Sequence, residues 1–332
     1  MSGIVKHVDV VPAKQATGLV REVYTQSTKE VGRLVEAVTM FSAAPELLAA
    51  SWAAFREPLL AGTASRVSKE AVAATVSRLN QCTYCVDAHA IMLYGGGAGS
   101  FATQLLSGGS GDELDANLRP FATWAEISAR PPFPAAHTPE YVGVLVYFHF
   151  LNRVINVLLD GTFLPGPPRA KAIARRVAGR MMAGKVNARN EAGRATGLPS
   201  GTAPPEGFGW AAGSPAVASA FAALATETAA AAAHVPDETH HTLDTVVTSL
   251  LGEPQGVSAA WVDEHLRPLG RKSVPSARLA LLTALAPHQV GDRDVAQFRE
   301  RQPEDRDLLG LLSLAALTAA RHLGERKAAT VH

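Results

Sequence analysis

The stretch from Glu70 to His89 limits this chain more tightly than any other. It reads Glu70, eleven residues, Cys82-Thr83-Tyr84-Cys85, three residues, His89. Both cysteines of the chain lie in it. In an α-helix, positions i, i+3 and i+7 share one face. A helix through this run therefore projects Cys82, Cys85 and His89 into a single site. A thiol becomes a useful nucleophile only when it ionises, and an adjacent base does that. Such an arrangement can accept electrons, donate them or attack an electrophile.

The rest of the chain favours helix as well. Alanine is abundant and aromatic residues make up only 6%, a balance that leans away from strands. With 47% apolar and 18% charged residues, a large core is expected and global disorder is not. A length of 332 residues suits two domains. The net charge of +1 gives no reason to expect nucleic acid as a partner. Two cysteines do not make a secreted disulfide scaffold; they suit a reducing compartment in which the pair cycles. Met1 to Gly18 is mixed and polar, without the apolar core of a signal peptide. The longest apolar candidate, Leu308 to Ala320, is broken by Gly310, Ser313 and Thr318 and reads as a buried helix rather than a membrane span. A cytoplasmic protein with no membrane contact is expected.

Along the chain, apolar periodicity begins near Val20 and continues to Met40. Pro45 opens a helix to Phe55 that buries Leu47, Leu48, Trp52 and Phe55. Ser68 is the expected N-cap of a helix from Lys69 to about Leu79. Asn80-Gln81 breaks the pattern, and a helix beginning at Cys82 holds both thiols in its first turn, where the dipole favours thiolate. Gly95, Gly96, Gly97 and Gly99 end that helix; they follow a helix rather than a strand and are no phosphate-binding fingerprint. Further helices are expected over Leu118 to Ala129 and Pro139 to Leu159, the latter ended by Gly161 to Pro168. Residues 166–209 change composition. Arg169, Lys171, Arg175, Arg176, Arg180, Lys185, Arg189 and Arg194 make the first part basic, and Gly, Pro, Ser and Thr dominate Gly197 to Gly209. They read as a linker whose basic part, with almost no interleaved aromatics, is a solvated helix rather than a nucleic-acid surface.

Residues 210–332 resemble a second copy of the first half. Trp210 to Pro215 matches Phe41 to Pro45, and Val262-Asp263-Glu264-His265 matches Val86-Asp87-Ala88-His89. The helix from Leu308 to Leu323 matches the one ending near Leu159. The cysteines have no counterpart, since Trp261 falls where Cys85 would be. The expected organisation is a catalytic domain at 1–165, a linker at 166–209 and a degenerate repeat at 210–332. His240, His241 and His265 lack thiol partners and read as surface or structural.

Glu70-x11-Cys82-x2-Cys85-x3-His89 resembles the AhpD-like alkylhydroperoxidase family of the carboxymuconolactone decarboxylase superfamily. Ala44-Pro45 with Trp52 and Phe55, and Pro139-Glu140 through Phe148-His149-Phe150-Leu151-Asn152-Arg153, resemble its longer bacterial members. The resemblance implies an all-α fold of two AhpD-like repeats packed as a pseudo-symmetric pair, with no bound cofactor. It implies that Cys85 is the peroxidatic thiolate, Cys82 the resolving thiol, His89 the proton acceptor and Glu70 the residue that orients His89. It further implies a hydroperoxide substrate, an external dithiol reductant of the lipoyl or thioredoxin-like kind, and a homo-oligomer, with a dimer favoured. One position departs from the family: well-known peroxidase members carry a histidine before the second cysteine, and Tyr84, a poor base at neutral pH, stands here.

Other readings compete. Cys82, Cys85, His89 and Glu70 could ligate zinc, although structural zinc sites more often come as two separated ligand pairs, so no metal is expected. Tyr84, His149, Asn152 and Arg153 are candidate pocket residues; the last three sit on an otherwise apolar helix, where they either face substrate or satisfy one another. A cofactor-free decarboxylase or isomerase of a small organic acid would need only Glu70 and His89 and leaves the dithiol unexplained. A non-catalytic redox sensor would use the dithiol without turnover.

Overall fold

A computed structural model of the chain describes residues 5–109, 113–127, 129–160, 163–199, 203–253 and 255–330. Residues 1–4 of the N-terminal arm, Gly161 and residues 200–202 of the expected linker lie outside the described residues. The described residues form α-helices and no β-strand: α1 (Gly18–Val31), α2 (Glu36–Thr39), α3 (Pro45–Phe55), α4 (Arg66–Leu79), α5 (Thr83–Gly95), α6 (Gly99–Leu106), α7 (Arg119–Glu126), α8 (Thr138–Leu158), α9 (Pro168–Val186), α10 (Pro215–Ala231), α11 (Asp237–Leu250), α12 (Asp263–Leu266), α13 (Val274–Leu285), α14 (Asp292–Arg299) and α15 (Asp305–Ala328). The protein is all-α, as the composition and the resemblance both imply.

Local chemistry sets several boundaries. Pro45, Pro168 and Pro215 each stand at the first helical position, where a missing N–H costs nothing and φ is already helical. Pro58 cannot donate to the ladder after α3, and the chain there widens into a π-helical turn over Arg56–Leu60. Helix α4 begins one turn earlier than Ser68 suggests, because Ser65 supplies the cap and accepts from the Ser68 amide at 3.4 Å. Glu70 thus sits in the second turn of α4. Gln81 takes a positive φ of 54°, and that kink turns the chain from α4 into α5 with Cys82 at the N-cap.

The centre is α8, buried over nearly its whole length. The window running from Ala135 is apolar enough to cross a bilayer, but 94% of it is buried inside the protein, as befits a core helix, and Leu308–Ala320 lies largely buried within α15. Around α8 pack α4 on one side and α15 on another, while α3 lies against α10. One cluster of buried apolar residues extends from Val8 to Ala320 through both halves. A smaller one, including Ala74, Leu93, Phe101 and Leu105, ties α4 and α5 to α6.

The basic stretch proves to be structural on its inner side. Helix α9 lies along α5, held by Arg175 Nε on Asp87 Oδ1 at 2.9 Å. The helices touch where Gly179 meets Gly95: a Cβ on Gly179 would stand 2.5 Å from the Tyr94 Cβ. After α9, residues 191–196 return over the first half, with the Gly193 and Ala195 amides donating to Glu57 at 2.7 and 3.0 Å. In the second half, Val262–His265 does not form a helix like α5; it is a 3-10 turn running into the four-residue α12. In this half α13 packs on α11.

Candidate active site

Helices α4 and α5 lie side by side, and this brings Glu70 to His89 across nineteen residues of chain. His89 Nδ1 is 2.6 Å from Glu70 Oε2. A carboxylate at that nitrogen calls for a hydrogen on Nδ1, which leaves Nε2 as the nitrogen that can exchange a proton with the site. The other Glu70 oxygen accepts from Arg66 Nε at 2.7 Å, one helical turn earlier on α4. Glu70 is fully buried. Burial pushes its carboxyl up, but the Arg66 guanidinium and then His89 outweigh that and hold it below the usual carboxylate range. Glu70 is therefore an anion at neutral pH, gripping an imidazole. The His89 ring also meets Phe148 edge-on, with centroids 4.3 Å apart.

His89 and Cys85 line one cavity of about 180 Å3, walled by Phe55, Leu59, Phe148, Leu151, Phe163 and Met92 and roofed by Ala178 and Met182 of α9. Cys85 opens on this cavity; Cys82 is fully buried and does not line it. The two cysteines are not joined by a disulfide, and Cys82 lies beside Cys85. Burial and the Cys82 neighbour push the Cys85 thiol well up, while the Asn152 side chain pulls the other way. In a site this dry the thiol stays protonated until a base takes the proton.

Tyr84 also lines the cavity. Its hydroxyl donates to Glu36 Oε2 at 2.9 Å, and its ring meets Phe163 edge-on at 5.0 Å. Burial, with Glu36 beside it, pushes the phenol up, so Tyr84 does not act as a base at neutral pH. Arg33 stacks over the Phe163 ring at 4.9 Å and approaches Glu36 at 3.7 Å; α2 and its neighbours thus close this side of the cavity.

His149, Asn152 and Arg153 do not line the cavity. They form a buried polar chain with Asn80 behind the thiols: Asn80 Nδ2 donates to Asn152 Oδ1 at 3.1 Å and to His149 Nδ1 at 3.1 Å, and Arg153 donates to Asn80 Oδ1 at 3.3 Å. Their side chains satisfy one another, which is the packed-network reading of that polar stripe. His265 stacks edge-on with Trp261 at 6.2 Å and does not line the cavity that holds Cys85. Among the described residues, no three His, Cys, Asp or Glu side chains converge as a metal site.

Sequence reasoning missed Arg66, Asn80 and the α9 roof. Arg66 had a signal, since it stands four residues before Glu70 on one helix. Asn80 had none beyond its place in a helix break, and the roof depends on tertiary packing of a stretch that reads as solvated.

Comparison with models of protein families finds no match. A Mycobacterium tuberculosis protein named alkyl hydroperoxide reductase is 42% identical over 325 residues, covering 96% of this chain and 94% of the relative.

Proposed function

The chain belongs to the AhpD-like alkyl hydroperoxide reductase family, and from that premise we propose that it reduces hydroperoxides with the Cys82/Cys85 pair under a Glu70–His89 relay. The observation that carries the reading is the placement of Cys85 on an apolar cavity shared with His89, whose far nitrogen is gripped by Glu70. His89 Nε2 takes the Cys85 proton as the thiolate attacks the terminal peroxide oxygen. The O–O bond breaks, and the imidazolium returns the proton to the departing alkoxide, releasing an alcohol. Cys85 is left as a sulfenic acid. The Cys82 sulfur attacks it, water leaves, and a disulfide forms. One hydroperoxide and two thiols thus yield an alcohol, water and one disulfide. An external dithiol, lipoyl or thioredoxin-like, returns the pair to thiols by exchange.

The apolar walls suit an organic hydroperoxide better than hydrogen peroxide, because desolvating the latter gains no apolar burial. The test is single turnover of the pre-reduced protein with cumene hydroperoxide, read by intact mass. We expect stoichiometric peroxide loss with loss of two hydrogens from the chain, and no reaction in Cys85→Ser. Thiols that stay reduced, or equal consumption by Cys85→Ser, sink the mechanism and turn attention to acid–base chemistry by Glu70 and His89.

A further inference from the structure

Arg153 is a buried cation that meets no anion among the described residues. Its Nε donates to the Ala284 carbonyl at 2.8 Å, and one terminal nitrogen donates to the His149 carbonyl at 2.7 Å, to Asn80 Oδ1 at 3.3 Å and to His149 Nδ1 at 3.3 Å. Every one of these acceptors is neutral, and no carboxylate pairs with Arg153 among the described residues. Taking a guanidinium out of water without a counter-charge is unfavourable, as for any buried ion. Burial pushes Arg153 down only to about 10, so it remains charged at neutral pH. Burial and then Arg153 hold His149 well below its ordinary value, so His149 is neutral and offers Nδ1 as an acceptor.

The amides joined to Arg153 point one way. Asn80 accepts from Arg153 with its oxygen and donates with its nitrogen to Asn152 Oδ1. Asn152, its oxygen thus occupied, turns its nitrogen to Ser77 Oγ at 3.3 Å and within hydrogen-bonding reach of the Cys85 sulfur. Ser77 fixes that choice, because its hydroxyl hydrogen is spent on the Ala73 carbonyl at 2.7 Å and only its lone pairs remain. A donor chain therefore runs from the guanidinium to the sulfur, each dipole with its positive end toward Cys85.

We propose that Arg153, acting through the side-chain amides of Asn80 and Asn152, is the counter-charge that stabilises the Cys85 thiolate. The missing anion of the buried cation is then the thiolate that the reaction creates. The nearby acids are otherwise engaged: Glu70 with Arg66 and His89, and Glu36 with Tyr84. Tyr147 on α8, beside Cys85, has its hydroxyl bonded to Ser51 at 3.0 Å. Arg326 and Lys327 of α15 add positive charge on the His149 side. Arg153 is a positioning residue here, since it touches the thiol only through others. The proposal rests on the reading above only in requiring Cys85 to ionise, and it concerns a charge on sulfur, whichever electrophile follows.

The test measures iodoacetamide labelling of Cys85 against pH in the reduced protein, read by peptide mass, with no peroxide present. Arg153→Met should move the labelling midpoint up by about one pH unit, slowing labelling near neutrality about tenfold, and Arg153→Lys should restore most of it. Asn152→Ala, which keeps the cation, should shift the midpoint in the same direction and decides the matter if Arg153→Met does not fold. A folded Arg153→Met or Asn152→Ala with the native midpoint overturns the proposal, as does an Arg153→Lys that behaves like Arg153→Met. A role confined to holding the helices together would lower the melting temperature and leave the midpoint where it is. Failure of peroxide turnover with these shifts intact would count against the peroxidase reading alone.

Discussion

At the scale of single residues, Arg66 governs the candidate site without touching the cavity's reacting atoms. It decides the charge on Glu70: burial alone favours the neutral acid, and the guanidinium reverses that preference. Replace it with Met, and burial is opposed by His89 alone. The sign follows from linkage. A carboxyl held low in the fold lends stability above its unfolded value and loses it as pH falls through the lowered one. In the native protein that loss sets in as pH falls through the ordinary carboxylate range and is complete below the lowered value; in Arg66→Met the carboxyl is held less low, so this contribution at neutral pH shrinks and the fold has less stability to lose before it unfolds. We expect Arg66→Met to lower stability by about 3 kcal/mol, as for other broken buried pairs, and to move the midpoint of acid unfolding upward. Circular dichroism over a pH titration reads both, and an unchanged acid midpoint would remove Arg66 from the relay. Cys85 and His89 share a face of α5 because they stand four residues apart, a spacing readable directly in the sequence, whereas Cys82 caps that helix. That Glu70 reaches His89 from another helix was legible only through family resemblance, since nineteen residues of separation carry no local geometry. Periodicity tells which face of α8 is buried and not whether a cavity or a packed neighbour lies there, so the sequence leaves both readings of His149, Asn152 and Arg153 open, and the structure joins them to Asn80 and to one another.

At the scale of elements, the cavity exists because α9 lies close to α5. That approach depends on two glycines without side chains at the crossing. A methyl on Gly179 would lie 2.9 Å from the Ile91 carbonyl as well as against Tyr94, so Gly179→Ala must lift α9, at a cost of about 1–3 kcal/mol. Ala178 and Met182 move with it, and the roof opens. Iodoacetamide should then label Cys85 faster at every pH, with the midpoint unchanged, because access changes and the thiol's charge environment does not. Gly184→Ala is the control, since its Cβ would meet nothing within 4 Å. Equal labelling in Gly179→Ala and the native protein would mean that α9 does not gate the thiol. The helix itself was readable from Pro168 and the run that follows. Its role was hidden because six cations and no acid over Pro168–Val186 look solvated, while the inner contact is made by glycine, alanine and the stem of methionine. Small residues give no hydrophobic signal when their function is to let two backbones approach.

At the scale of the whole molecule, the compositional break at 166–209 suggests two domains, yet the buried apolar cluster runs through both halves. Ties cross the break in several places. Arg153 on α8 donates to Ala284 on α13, and Lys327 on α15 donates to the Trp124 and Ile127 carbonyls at the end of α7. A chain built this way should unfold as one unit, although its length exceeds that of most two-state domains. Leu282, fully buried on α13, lies in the half without thiols and supplies the test. Leu282→Ala removes core contacts worth about 2–5 kcal/mol. If the halves are one cooperative unit, that loss lowers the stability of the thiol site too, and Cys85 becomes labelled at a lower urea concentration by the same displacement as the global transition. If the halves are independent, the second half melts early and the Cys85 labelling curve stays where it was. We expect coincident displacement, because the network behind Cys85 ends on a carbonyl of α13 itself. Loosening that helix releases the Arg153 anchor, and with it the alignment of the amides that face the sulfur.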